Sequence, residues 1–110
     1  MAYYLVRARA RQESLPELER GLREGAFLGL RPFGRALSAS LQEARIAEDG
    51  FTVWEEEDYC RPPLAQERAA VLDRHFDELT VEPVREGEGW RRIGTLPRLF
   101  PGFKGVKAGE

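Results

Sequence analysis

The chain has 110 residues, a length that predicts a single domain with enough core to fold without disulfides. Its 17 basic and 19 acidic residues leave a net charge of −2, which argues against the phosphate-neutralising surface of a nucleic-acid binder. No apolar run approaches the roughly 18 residues of a membrane span, and the N-terminus shows no signal peptide. The single cysteine cannot form an intrachain disulfide. We therefore expect a cytoplasmic protein with no nucleic-acid or membrane partner.

The first predicted element is a strand at residues 2–9, where side chains of different character alternate. One face of this strand carries Tyr4, Val6 and Ala8. The other face mixes apolar and basic groups, namely Tyr3, Leu5, Arg7 and Arg9. A mixed face of this kind is expected to meet a partner surface.

A helix is predicted next, at about residues 14–25. Ser14 and Glu17 have the spacing of a capping box, and Gly25 suits the C-cap position. The apolar stripe of this helix consists of Leu15, Leu18 and Leu22.

Residues 35–46 fit two patterns, because Leu37 and Leu41 suit both a helix stripe and a strand face. Asp49-Gly50 is the turn dipeptide of a tight hairpin, and a strand-forming segment follows it. We therefore expect a long hairpin in which 35–46 pairs with 51–59, with a helix at 35–46 as the alternative.

The second half of the chain predicts a helix at about 63–78 and a strand at 79–85. Pro83 cannot donate to a sheet ladder, so this strand is expected at an edge. Residues 87–110 are rich in glycine, proline and aromatic groups, and we expect an irregular arm that packs on the domain or on a partner. Its last residues are expected to fray.

The predicted order of elements is strand-helix-strand-strand-helix-strand, which defines an α+β fold for residues 1–86. This order resembles the ferredoxin-like folds, including the dimeric α+β barrel proteins. The chain also resembles small bacterial proteins of unassigned function that share a "WEEEDYC-x-PPL" core. The resemblance implies an antiparallel sheet with helices on one face, βαββαβ topology and a homodimer that covers the open face.

The acidic run "EEED" divides between two faces when the strand is regular. Glu55, Glu57 and Tyr59 share one face, whereas Glu56, Asp58 and Cys60 share the face of Trp54. We expect at least one acidic set to pair with arginines of the first strand. Two alternatives are a polar pocket that works by acid–base chemistry or ligand binding, and a divalent-metal site.

Cys60 and His75 are single representatives of their residue types. Cys60 precedes a predicted helix start and Arg61, both of which favour a thiolate, but a small buried side chain is the expected role. His75 lies beside the apolar stripe of the second helix and is expected at the edge of the core. No glycine-rich phosphate loop or paired-histidine motif is present, so we expect no cofactor and no dedicated metal site.

These features predict a self-associating ligand-binding or scaffolding module. One alternative is a small enzyme or ligand sensor of the dimeric-barrel kind, and another is an interaction module that docks through its C-terminal arm. A small anionic ligand would contact arginines and acids on the open sheet face. The expected ligand-binding residues are Arg7, Arg9, Arg35, Glu55, Glu57 and Tyr59.

Overall fold

A computed structural model of the chain describes residues 2–103. The predicted fraying of 104–110 lies outside the described residues. The fold is α+β, with a four-stranded antiparallel sheet and four helices. Two 3-10 turns, Gln12–Ser14 and Pro101–Phe103, accompany them. The strands are β1 (Ala2–Ala10), β2 (Arg45–Ile46), β3 (Thr52–Asp58) and β4 (Phe76–Val84).

Two of the four helices lie between β1 and β2, one lies between β3 and β4, and one follows β4. The third helix, α3, begins with an α-helical turn, continues through a π-helical segment and ends with a second α-helical turn. Its three parts are Ala65–Glu67, Arg68–Leu72 and Asp73–His75. The other helices are α1 (Leu15–Glu24), α2 (Gly34–Gln42) and α4 (Glu88–Ile93). Among residues 2–103, no helix is both long and apolar enough to cross a bilayer.

The sheet has the strand order β2-β3-β1-β4, with β1 and β3 at its centre. Val6 of β1 lies opposite Trp54 of β3 and opposite Val81 of β4, which fixes the register of the three strands. β4 lies at an edge, as Pro83 predicted. The register between β1 and β4 shifts near Glu78, whose φ of 53° marks a bulge in β4.

One face of the sheet forms the core of the domain. Alternation along β1 and β3 places Val6, Ala8 and Trp54 on this face, and all three are fully buried. Helices α1, α2 and α3 contribute the leucines and valine that cover it. These are Leu18, Leu22, Leu37, Leu41, Val71 and Leu72.

The first two predictions agree with the structure, with one correction. The strand at 2–9 is confirmed by β1, and the helix at 14–25 by α1, which ends at Gly25 with a left-handed φ of 70°. The capping box is wrong, because the Ser14 side chain makes no cap hydrogen bond. Its Oγ lies 3.0 Å from His75 Nδ1 instead, so a tertiary contact replaces the local one.

The long hairpin predicted for 35–46 is wrong, because residues 34–42 form α2 and only Arg45–Ile46 pairs with β3. The buried residues of α2 recur at helical spacing: Gly34, Leu37, Ser38 and Leu41. Ala39, which a strand would have placed on the same face as Leu37, is exposed. The predicted turn at Asp49-Gly50 does reverse the chain between β2 and β3.

The C-terminal segment is more regular than predicted, and helices are not confined to one face. Helix α4 lies against the face opposite the main core, where Gly89 approaches Leu5 and Glu55. Phe100 and Phe103 return to the main core and are both buried. Residues 87–103 therefore contact both faces of the sheet, whereas a division of the chain at residue 86 stays a prediction.

Substitution of Gly34 tests the close approach that fixes the start of α2. A Cβ at Gly34 would lie 2.1 Å from the backbone oxygen of Phe27, and a backbone atom cannot yield as a side chain does. We expect Gly34→Ala to lower the free energy of unfolding by about 1–3 kcal/mol, measured by urea denaturation. Gly29→Ala is the control, because a Cβ there meets nothing within 4 Å. Equal stability of the two variants would contradict this packing.

Candidate functional site

Three carboxyl side chains are buried together between β3 and α3. Glu56 and Asp58 lie on the core face of β3, and Glu67 ends the first turn of α3. Their exposed fractions are 0%, 3% and 0%. Within residues 2–103, none of the ion pairs involves any of the three. Buried carboxyls without a cation are costly, so each needs a proton or a set of hydrogen-bond donors.

Asp58 organises the loop between β3 and α3. Its Oδ2 accepts hydrogen bonds from the backbone N–H of Cys60 at 3.0 Å and of Leu64 at 2.6 Å. Leu64 has a left-handed φ of 65°, an unfavourable conformation for a leucine, and its side chain is fully buried. The carboxylate and the core contacts of Leu64 therefore hold a strained backbone in place beside the acids.

Glu56 is only half satisfied by its surroundings. The indole Nε1 of Trp54 donates to Glu56 Oε1 at 2.9 Å, and Oε2 has no hydrogen-bond partner among the described residues. Burial raises the pKa of Glu56 well above its usual range, and the nearby Glu67 and Asp58 raise it further. Glu56 is therefore held as a neutral acid in the core.

Glu67 and Asp58 form a coupled pair that holds one proton. Burial, followed by a hydrogen bond with Asp58, raises the pKa of Glu67 to about 7. Burial also acts to raise the pKa of Asp58, but hydrogen bonds from Glu67 and from the backbone of Leu64 and Cys60 lower it overall. Asp58 is thus the ionised member of the pair and Glu67 the protonated one at slightly acid pH. Glu67 Oε2 has no hydrogen-bond partner within residues 2–103.

Cys60 lies at the edge of this group, half-buried, with its Sγ 3.7 Å from Glu67 Oε1. A backbone hydrogen bond from Gln66 lowers the pKa of the thiol, but burial and the charges of Asp58 and Glu67 together raise it. The thiolate suggested by the neighbouring helix start and Arg61 is therefore not favoured at neutral pH. Burial and, to a smaller extent, the two neighbouring acids therefore favour the protonated thiol.

A cavity of about 300 Å³ opens beside the acidic group. Asp58 and Cys60 form its inner wall, and Tyr59, 65% exposed, stands at its mouth. The remaining walls come from α2, from the loop before it and from the start of α3. The full lining is Pro32, Phe33, Ala36, Glu57, Asp58, Tyr59, Cys60 and Gln66.

Glu55, a predicted ligand-binding residue, caps a helix instead of facing an open surface. Its carboxylate accepts hydrogen bonds from the backbone N–H of Gly87 at 2.8 Å, Gly89 at 2.7 Å and Trp90 at 3.3 Å. These are N–H groups at the start of α4, where a negative charge is stabilising. Glu55 is 4% exposed, so its oxygens are engaged within the chain.

The predicted charge pairs between β1 and β3 are wrong. Arg7 pairs with Asp49 in the hairpin turn, and Arg9 pairs with Glu78 of β4 at 2.6 Å. Both guanidinium groups also lie over the Phe51 ring, 4.0 Å and 4.7 Å from its centroid. The sheet register explains this choice, because Arg7 lies opposite Val53 and not opposite an acid.

The six predicted ligand-binding residues are thus distributed over several places. Glu57 and Tyr59 line the cavity and are joined by a 3.0 Å hydrogen bond from the Tyr59 hydroxyl. Arg35 is exposed on α2, next to Ala36 of the cavity wall. Arg7 and Arg9 lie with Phe51 at another part of the sheet.

Glu56, Asp58 and Glu67 were missing from that set. Strand alternation had placed Glu56, Asp58 and Cys60 on the face of Trp54, and a tryptophan in a strand marks a buried face. That signal was present in the sequence. Glu67 carried no local signal, because its proximity to Asp58 depends on how α3 packs. His75, expected at the core edge, is buried, and burial lowers its pKa.

A pair of isosteric substitutions tests how much the hydrogen bonds of the Glu55 carboxylate stabilise the fold. Glu55→Gln would present an amide NH2 to backbone N–H donors and leave one donor unpaired, so we expect a loss of about 1–3 kcal/mol in unfolding free energy. Glu57→Gln is the control on the same face, because Glu57 is half-exposed and its acceptor role to tyrosine hydroxyls survives in an amide. Chemical denaturation of both variants compares them. Equal, small effects would contradict the cap.

Glu67 predicts a pH-dependent stability. Between its ordinary pKa of 4.5 and its folded value of about 7, the folded chain holds a proton that the unfolded chain has released. The unfolding free energy therefore decreases as pH rises through this window, by up to about 3 kcal/mol at about 1.4 kcal/mol per unit.

Glu67→Gln keeps the neutral form at every pH, so its stability relative to the wild type should increase from pH 5 to pH 8. Urea unfolding in the presence of a chelator measures both proteins at each pH, and the comparison cancels other titrating groups such as His75. A stability difference that does not change with pH would contradict the buried proton.

Comparison of the chain with known proteins gives no matching protein-family model, no matching curated protein and no matching solved structure. The function is therefore argued from the geometry of this site.

Proposed function

We propose that the protein is a small ligand-binding module and that its ligand is a cation held in the cavity beside β3. The observation that carries this proposal is the charge of the cavity wall. Glu57 and Asp58 line it, Glu67 lies next to Cys60, and among residues 2–103 the lining contains no basic side chain. An acidic wall next to a low-dielectric core attracts a cation more strongly than exposed acids do, because the protein interior screens the charge less than bulk water does.

The shape of the cavity suits a small ligand. A volume of about 300 Å³ is at the lower end of the range for small-molecule sites. Pro32, Phe33 and Ala36 offer apolar contact on one side, and the acids supply orientation on the other. A compact amine or a metal ion satisfies both features.

The anionic ligand expected from the sequence has less support at this cavity. Arg7 and Arg9, which were expected to bind it, are engaged with Asp49 and Glu78. An anion entering the cavity would face Asp58 without a compensating guanidinium group in the lining. The cavity therefore favours a cation over an anion.

The fold and assembly belong to the same proposal. We infer a ferredoxin-like arrangement, supported by the central β1 and β3 and by the helices between β1 and β2 and between β3 and β4. We also propose a cytoplasmic location, which the single cysteine supports because it leaves no intrachain disulfide. Self-association stays a prediction, and sedimentation at low and high protein concentration tests it. A monomer throughout would contradict it.

The two alternative functions find less support in the packing. A cleft on the second sheet face would include Glu55, which α4 covers. An arm that docks on a partner would use Phe100 and Phe103, which already belong to this chain's own core.

Amide chemical shifts of 15N-labelled protein test the cation proposal. The ligands are phenethylamine, Mg²⁺, Zn²⁺ and, as an anion with a similar ring and chain, phenylacetate. We expect at least one cation to shift the amides of residues 57–60 and 66 in a saturable manner, and phenylacetate to leave them unchanged. The proposal would be overturned if none of the cations shifted these amides, or if phenylacetate bound as well as the cations.

A matched pair of substitutions on α2 tests whether an organic ligand binds inside the cavity. Ala36 lines it, so Ala36→Leu should weaken phenethylamine binding by about tenfold, or about 1.4 kcal/mol. Ala39→Leu adds the same side chain to the same helix at an exposed position and is expected to have no effect. Equal effects of the two variants would show that the amine binds elsewhere.

A further inference from the structure

Three groups of the kinds that bind metals lie close together beside the cavity, and two of them, on Asp58 and Cys60, line it. One carboxylate oxygen of Asp58, the Sγ of Cys60 and one carboxylate oxygen of Glu67 all lie within 4.8 Å of one another. We propose that these three residues bind a divalent transition-metal ion of the Zn²⁺ type. This proposal rests on the cationic ligand proposed above and names that cation.

The spacing of the three atoms agrees with tetrahedral coordination. Zn–S distances of about 2.3 Å and Zn–O distances of about 2.0–2.2 Å place neighbouring ligand atoms about 3.4–3.6 Å apart. The measured separation between Cys60 Sγ and Glu67 Oε1 is 3.7 Å. Small side-chain adjustments therefore close the site around an ion.

A second, independent observation is the set of unpartnered oxygens. Glu67 is fully buried, yet its Oε2 has no hydrogen-bond partner among residues 2–103, and the same is true of Glu56 Oε2. One oxygen of Asp58 and one of Glu67 lie within 4.8 Å of each other, and a proton or a cation between two carboxylates at this separation removes their mutual repulsion. A metal ion at this position replaces the proton and pairs with both acids.

The donor set selects the kind of metal. Mg²⁺ and Ca²⁺ take oxygen ligands in larger number, whereas a thiolate with two carboxylates suits the borderline-soft Zn²⁺. A bound metal ion deprotonates a coordinating thiol, so the protonated Cys60 of the free protein is compatible with a thiolate ligand. Hydrogen bonds from Cys60 and Leu64 N–H orient the Asp58 carboxylate for this role.

Three protein ligands leave the fourth position of a tetrahedral ion free. Asp58 and Cys60 belong both to the ligand set and to the cavity wall, so this fourth position faces the cavity. Sites with three protein ligands and one exchangeable position bind water or a small ligand there, in contrast to closed structural sites. The cavity then holds whatever molecule completes the coordination.

Metal titration tests the proposal on the full chain. We expect Zn²⁺ to bind with 1:1 stoichiometry in competition with a chromophoric chelator, and Co²⁺ to bind with a thiolate-to-cobalt charge-transfer band in the near ultraviolet. The band reports Cys60 directly, because it is the only cysteine. Absence of 1:1 Zn²⁺ binding, or a bound Co²⁺ without the band, would overturn the proposal.

Two ligand variants and one control sharpen the test. Cys60→Ser should abolish the band, and both Cys60→Ser and Glu67→Gln should weaken Zn²⁺ binding about tenfold or more. Glu48→Gln removes an exposed acid in the hairpin turn and should leave the affinity unchanged. The amide spectrum of each variant confirms its fold, and unaltered Zn²⁺ affinity in a folded Cys60→Ser would contradict the proposed ligand set.

The same experiments separate this inference from the function on which it rests. If phenethylamine shifts the cavity amides and Zn²⁺ does not bind, the metal site is wrong and the cationic ligand stands. If no cation affects the cavity, both proposals are wrong.

Discussion

The structure depends on one constraint, which is that β3 carries acids on both of its faces and both faces are covered. Regular alternation forces Glu56 and Asp58 to share the side of Trp54, where the main core forms. A buried carboxyl must be neutralised, paired or supplied with donors. The loop after β3 and the first turn of α3 are arranged around that requirement, through the backbone N–H groups of Cys60 and Leu64 and the proton on Glu67.

The neighbouring acid Glu55 is a buried carboxylate whose two oxygens both accept hydrogen bonds. Its oxygens accept three backbone N–H groups from the start of α4, so its charge is compensated inside the chain. Glu56 and Glu67 each retain an oxygen that has no hydrogen-bond partner in the described part of the chain. The two sides of one strand therefore differ in kind, with a structural cap on one side and an incompletely satisfied group on the other.

Strand alternation allowed part of this to be predicted from the sequence. It assigned Glu55 and Glu57 to one face and Glu56, Asp58 and Cys60 to the other, and the register of β3 confirms this as far as Asp58, where the strand ends. Which acids are covered within the chain did not follow, because the coverage of Glu55 depends on α4, far along the chain.

The helix at 34–42 was ambiguous for a related reason. Leu37 and Leu41 satisfy both periods, and the contact that fixes the start of the helix is between Gly34 and the backbone of the preceding loop. The local sequence pattern therefore identified which side chains lie on the same face of an element, whereas tertiary packing determined which other elements those faces contact.

Several unusual local features gather around the same acids. Leu64 has a left-handed backbone, and a π-helical segment begins immediately after Glu67. Strained residues and π-helical turns persist only where surrounding contacts enforce them, and they are frequent at functional sites. A core built for stability alone would gain from apolar side chains in place of Glu56 and Glu67, since a buried polar group with an unsatisfied oxygen is costly. Retention of unpaired acids beside a cavity, at the point where the backbone is also strained, is therefore better explained by a bound cation than by the packing of the fold.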